Sequence, residues 1–145
     1  MECFLFLMVS KAKLSSNNIP NSPDASLVQC LDGQPTGGTD FSSLFDTAYN
    51  FLNENLDKYN QHILCMMTDG EAPYPDVEIT KFKQNQKLMD KVKVTTILYS
   101  NEGVGSTAYK VLDQIAINLN GKMRNALTAQ DLENSFKELV ANIYC

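Results

Sequence analysis

The stretch Ile63-Leu64-Cys65-Met66-Met67-Thr68-Asp69-Gly70-Glu71 decides the fold. Its first five residues are all apolar, with no polar face. The segment therefore reads as a strand covered on both sides, as in a parallel sheet between helix layers. It breaks at once into a turn of Thr, Asp and Gly, residue types that bend a chain and bond its backbone. Asp69 is thereby set at a strand's carboxyl end, where open α/β sheets collect their function.

The flanking sequence repeats this grammar. Residues 3–9 (CFLFLMV) and 94–98 (VTTIL) are two more continuous apolar runs, and 123–126 predict a short edge strand. Between the runs, Phe41, Leu44, Phe45, Ala48, Tyr49, Leu52 and Leu56 recur three or four apart, predicting a helix that Thr39 or Asp40 would cap. Residues 77–92 predict an amphipathic helix with Ile79, Phe82, Gln86 and Met89 on one stripe. Ser106 is placed to cap a helix reaching about Asn120, which buries Val111, Leu112, Ile115, Ala116 and Leu119, with Gly121 as its C′ glycine. Thr128 and Asp131 form a capping-box-like pair ahead of Leu132, Phe136, Leu139 and Ile143. Residues 12–14 extend the first strand or begin a neighbour, 24–31 predict a short helix, and 15–23 and 32–38 are loop. Strands alternating with helices imply right-handed crossovers and an α/β fold: a Rossmann-like, doubly wound, mostly parallel sheet between helix layers.

Composition bounds the function. A chain of 145 residues fits one domain and buries about two-thirds of its unfolded surface. An apolar share of 43% is that of a globular protein. The net charge of -5, the pI near 4.7 and the lack of a basic cluster argue against nucleic acid and leave room for a divalent cation or a basic partner. Residues 3–9 are too short to span a bilayer, and with Glu2 ahead and Lys11 and Lys13 behind they do not form a signal peptide, so no membrane insertion is expected. Cys3, Cys30, Cys65 and Cys145 have no zinc-like spacing. Cys3 and Cys65 read as free buried thiols, pointing to a reducing, cytoplasmic location.

A second polar turn, Gly37-Gly38-Thr39-Asp40-Phe41, stands before the first predicted helix. Together, Gly-Gly-Thr-Asp-Phe, the apolar strand ending Thr-Asp-Gly-Glu, and Asn120-Gly121-Lys122-Met123 with residues 132–139 resemble the von Willebrand factor A (vWA) domain family in order and spacing. The resemblance runs through almost the whole chain. It implies a single vWA-like domain over residues 1–145, working as a non-enzymatic protein-interaction module. It further implies a partial metal site of the family's type, in which Mg2+ or Mn2+ is held by oxygen ligands and a partner carboxylate fills an open position. By that likeness Thr39 would supply a hydroxyl ligand and Asp69 a carboxylate, with Gly38, Asp40, Gly70 and Glu71 on the rim.

The family's first-strand motif, Asp-x-Ser-x-Ser, has no counterpart here. The expectation is an amino-terminally truncated domain, lacking its first strand and helix, that binds metal weakly. Asp24-Ala-Ser26 and Asp40-Phe-Ser42 imitate the motif in part, but the first follows a proline-rich loop and the second is explained as a helix N-terminus. The family places the absent strand between residues 3–9 and 63–67. Without it, those strands either pair directly or leave open edges that another chain or upstream residues could complement.

Two other functions have weaker sequence support. One is a metal-independent scaffold of the same fold within an intracellular assembly. The other is a phosphotransfer or hydrolytic enzyme with Asp69 as nucleophile. His62, the only histidine, has no nucleophile partner in the sequence and reads as structural or solvent-facing, against Ser/His or Cys/His catalysis. The loop 101–107 joins a strand to a helix but matches neither a dinucleotide fingerprint nor a P-loop, and Glu102 would repel phosphate.

Overall fold

A computed structural model describes the backbone of residues 2–9 and the chain from 40 to 141. The described elements are β1 (Glu2–Val9), α1 (Phe41–Glu54), β2 (Gln61–Thr68), α2 (Asp76–Gln84), α3 (Gln86–Met89), β3 (Val92–Tyr99), α4 (Thr107–Asn118), β4 (Lys122–Ala126) and α5 (Ala129–Ala141). The four strands form one parallel sheet in the order β1-β2-β3-β4. The expected extension at 12–14, the short helix at 24–31 and Ile143 lie outside the described residues.

The strand order follows the chain order, so every crossover steps the same way. A right-handed crossover then lays its helix on the same face each time. One core cluster accordingly gathers Phe45 and Leu52 of α1, Phe82 of α2, Leu88 of α3 and Leu112 of α4 against Leu64, Met66, Val94 and Leu98 of the sheet. The opposite face carries Cys65, Ile97 and Ala126 beneath Leu132, Phe136 and Leu139 of α5. Helices thus lie on both faces. The reversal of strand order that marks a doubly wound sheet is not found among the described strands.

Of the two outcomes open for β1 and β2, direct pairing is found. Eight residues of each run side by side, from Glu2 opposite Gln61 to Val9 opposite Thr68. No slot remains between them for a further strand. β4 closes the other side of the order and is the short edge strand expected.

Two predicted elements differ in detail. The helix expected over 77–92 is broken at Asn85, whose backbone is non-helical (φ -95°, ψ 80°) and whose side chain accepts the Leu88 amide at 3.1 Å. An Asn side chain that bonds nearby backbone competes with helix continuation. The break turns Gln86 outward and buries Leu88 instead. At the end of α4 the left-handed residue is Asn120 (φ 53°), not Gly121. Asn120 N–H donates to Ile117 O at 3.2 Å and Gly121 N–H to Ala116 O at 2.8 Å. These two bonds are a Schellman motif with Asn at C′.

The other caps match expectation. Ser106 Oγ accepts the Tyr109 amide at 3.2 Å, Asp131 Oδ2 accepts the Thr128 amide at 3.0 Å, and Thr128 Oγ1 accepts the Asp131 amide at 3.1 Å. Buried Thr96 ties α4 to the sheet, its hydroxyl donating to Leu112 O at 3.1 Å. Cys65 is free and buried, and burial pushes its thiol up to about 12, so it stays protonated and inert at neutral pH.

Candidate functional site

β2 ends at Thr68, and Thr68 itself closes the following turn. Its hydroxyl oxygen accepts the Gly70 amide at 3.1 Å and lies 3.4 Å from Gly70 O, to which the hydroxyl donates. Asp69 is therefore not needed to stabilise the loop. It sits exposed at the turn, and among the described residues no hydrogen bond or ion pair reaches its carboxylate. Gly70 is half-buried and Glu71 exposed. The loop continues through Pro73, half-buried Tyr74 and buried Pro75 into α2. Burial raises the Tyr74 hydroxyl, and the nearby Asp76 carboxylate raises it further.

Asp40 belongs to the same edge of the sheet. Only residues 55–60 separate α1 from the start of β2, so the helix runs back along the strand. Its 14 residues cover about 21 Å, which brings its N-terminus to the carboxyl edge. There Asp40 is the cap of α1, accepting the Ser43 amide at 3.1 Å. Of the two capping candidates the structure selects this one, and it gives the carboxylate a structural task. Asp40→Ala is expected to cost about 0.5–2 kcal/mol in denaturant unfolding, the usual loss for an N-cap.

Gly38 and Thr39 lie outside the described residues, so the pairing of Thr39 with Asp69 has no geometry here. The described residues alone do not fit a hard-cation site. They offer the carboxylates of Asp69 and Glu71 without a partner among them, while the Thr68 hydroxyl serves the turn and Asp40 serves the cap. Magnesium needs near-octahedral oxygen donors, and among the described residues no three His, Cys, Asp or Glu side chains are grouped to hold an ion.

The carboxyl edge also exposes apolar side chains that sequence reasoning missed. Val77 in the first turn of α2, Tyr99 at the end of β3, Val104 in the next loop and Leu127 after β4 are 64%, 39%, 79% and 50% exposed. Tyr99 pairs in register with Ala126, so Leu127 stands one residue beyond it. The loop that carries Val104 is shaped by Gly103 (φ 72°) and Gly105 (φ 109°), conformations that suit glycine. An apolar residue between two glycines was the available signal, since neither helix nor strand could claim it. Asp69, Glu71, Asp76 and Glu102 lie in the same loops and helix start.

His62 lies at the other end of β2 and is fully buried, which excludes the solvent-facing alternative. No helix among the described residues is long and apolar enough to cross a membrane. In comparisons with known proteins, the chain matches no protein-family model, no curated protein and no solved structure.

Proposed function

We propose that this chain is a non-enzymatic protein-interaction module that takes its partner at the carboxyl edge of the sheet. The observation that carries the reading is the exposure of Val77, Tyr99, Val104 and Leu127 at the carboxyl edge that also carries Asp69, whose carboxylate has no partner among the described residues. Large apolar side chains gathered at one edge favour association with another surface. The position of His62 supports the non-enzymatic part. Seven residue steps along the strand separate it from Asp69, about 23 Å at the strand rise, so it cannot serve that carboxylate as acid or base. Turnover of a generic phosphoester, lost in Asp69→Ala, would overturn this reading.

The test is selection of peptide ligands against the purified chain, followed by the double variant Val104→Asp with Leu127→Asp. Both positions are exposed, so the variant is expected to keep its unfolding midpoint and to lose at least tenfold in affinity for the selected ligands. Unchanged affinity would remove the carboxyl edge as the docking face.

The second reading keeps the vWA-like metal site, with Mg2+ or Mn2+ bound weakly by Thr39 and Asp69. It is favoured by the exposed Asp69 carboxylate at a strand end, which has no partner among the described residues, and weakened by the direct pairing of β1 with β2 where the family has another strand. Calorimetric titration with Mg2+ and Mn2+ separates the two. The metal reading expects heats in the native chain that vanish in Asp69→Ala and ligand binding that EDTA abolishes. Identical heats in the two proteins favour the metal-independent scaffold. Asp69→Ala itself is expected to shift stability by less than about 0.5 kcal/mol, as an exposed substitution outside any cap.

A further inference from the structure

At the amino edge of the sheet, opposite the proposed docking face, a fully buried histidine lacks one of its hydrogen-bond partners. His62 has no exposed surface, and its backbone N–H donates to Lys91 O at 2.8 Å, which holds the start of β2 to the chain entering β3. Ring Nε2 lies 3.5 Å from Leu56 O in the connection between α1 and β2. A carbonyl only accepts, so Nε2 carries the proton and Nδ1 is the bare nitrogen. Nδ1 is buried and has no partner among the described residues. The Tyr59 ring packs edge-on to the imidazole at 5.9 Å.

Among the described residues, the surrounding charges leave no acceptor for a second ring proton. Lys91 Nζ donates to the same Leu56 O at 2.9 Å and to Tyr59 O at 3.4 Å, so an ammonium already occupies this corner. The Asp57 carboxylate in the same connection is exposed, pairs with Lys87 at 2.9 Å, and is 3.9 Å from Lys91 Nζ. Lys58 is turned to Asn55 and Asp90 to Gln86. The register neighbours of His62 are Cys3 on β1 and Val92 on β3, while Glu2, opposite Gln61 one position earlier, falls on the other face of the sheet.

We propose that His62 is an acid-sensitive latch: its neutral ring holds residues 55–60 against the base of the sheet, and protonation releases them. A proton on Nδ1 would create a buried donor without an acceptor and a second cation beside Lys91. Both costs are relieved when the ring and the connection swing into water. Burial holds the imidazole below its usual range, and Lys91 adds to this against the opposing pull of the Leu56 carbonyl. With the folded value depressed, the latch is fully closed above the unfolded value of about 6.5. It weakens as pH falls from there toward the folded value, because only the open form takes up the proton.

The test uses the single imidazole of the chain, which gives one unambiguous NMR titration. It is read beside amide hydrogen exchange between pH 7.5 and 5. The His62 ring is expected to titrate below 6.5. The amides of Lys58 and His62 should keep their protection down to about pH 6.5 and below it lose up to about tenfold per pH unit, while those of Leu119 and Gly121 at the end of α4 keep theirs. His62→Gln can still donate to Leu56 O but cannot charge, and should abolish the pH dependence. His62→Phe should do the same if it folds. A ring that titrates at 6.5 or above, equal loss at both ends of the molecule, or an unchanged pH dependence in His62→Gln would each overturn the proposal.

Discussion

Phe82→Ala is expected to lower unfolding free energy by about 3–5 kcal/mol, the range for truncating a fully buried aromatic. Phe82 has no exposed surface and joins two helices. Its ring meets Phe45 of α1 edge-on at 6.1 Å and Tyr49 at 5.3 Å. Among the described residues no backbone hydrogen bond holds α2 to the sheet, so its attachment rests on this apolar contact and a few polar ties to its neighbours. Those ties are weak. Lys81 and Asp46 approach to 2.6 Å, but both are nearly half exposed, and such pairs contribute about 0–1 kcal/mol. Urea unfolding followed by circular dichroism would measure the loss. A change below about 1 kcal/mol would mean that the helix collapses to fill the cavity, and that α2 is not anchored as described.

Gly121→Ala should be the second large effect, and its cause is steric rather than conformational. Gly121 does not have positive φ, yet a Cβ there would fall against the Val94 carbonyl oxygen, 2.9 Å from Val94 Cβ and 3.0 Å from the carbonyl carbon. Backbone atoms of a central strand cannot step aside cheaply. The expected cost is about 1–3 kcal/mol, the range for overpacking a fitted contact. Asn120→Gly is the control. It changes the residue that does hold left-handed backbone, removes a side chain from an exposed position, and should leave stability nearly unaltered or slightly improved. If the two variants behaved in the reverse order, the assignment of C′ to Asn120 would be wrong.

These residues also show what the sequence made legible. Strand positions were readable because continuous apolar runs such as 63–67 have one physical reading in a chain of alternating elements. Helix starts were readable because Ser106, Asp40 and the Thr128–Asp131 pair bond their own neighbours. The break at Asn85 was hidden, since apolar periodicity passes through a cap that interrupts it. Gly121 pointed to the correct helix end for an incorrect reason: glycine is also what a close strand approach requires, and sequence cannot separate the two uses. Asp69 was legible as an exposed strand-end carboxylate, and the structure adds that Thr68 frees it from turn duty. Of the apolar side chains on that edge, Val104 left a signal in its flanking glycines, while Val77, Tyr99 and Leu127 were not legible, because exposure is a property of the loops' neighbours rather than of the residues. Nor was the burial of His62, which depends on Lys91 and Leu56 arriving from two other segments.

The sequential strand order has a kinetic consequence. His62 finds Val92 30 positions along the chain and Thr95 finds Lys122 27 positions along, but Glu2 must find Gln61, 59 positions away. Doubling a loop adds only about 0.6 kcal/mol to its closure, roughly a threefold bias. That small bias acts in one direction at every attempt. The ribbon from β2 to β4, whose partners are nearer in the chain, is therefore the natural nucleus, and β1 zips on afterwards and is the first strand to leave. Parallel strands added strictly in chain order thus turn the sheet's geometry into a folding sequence that begins in its middle and ends at its first strand.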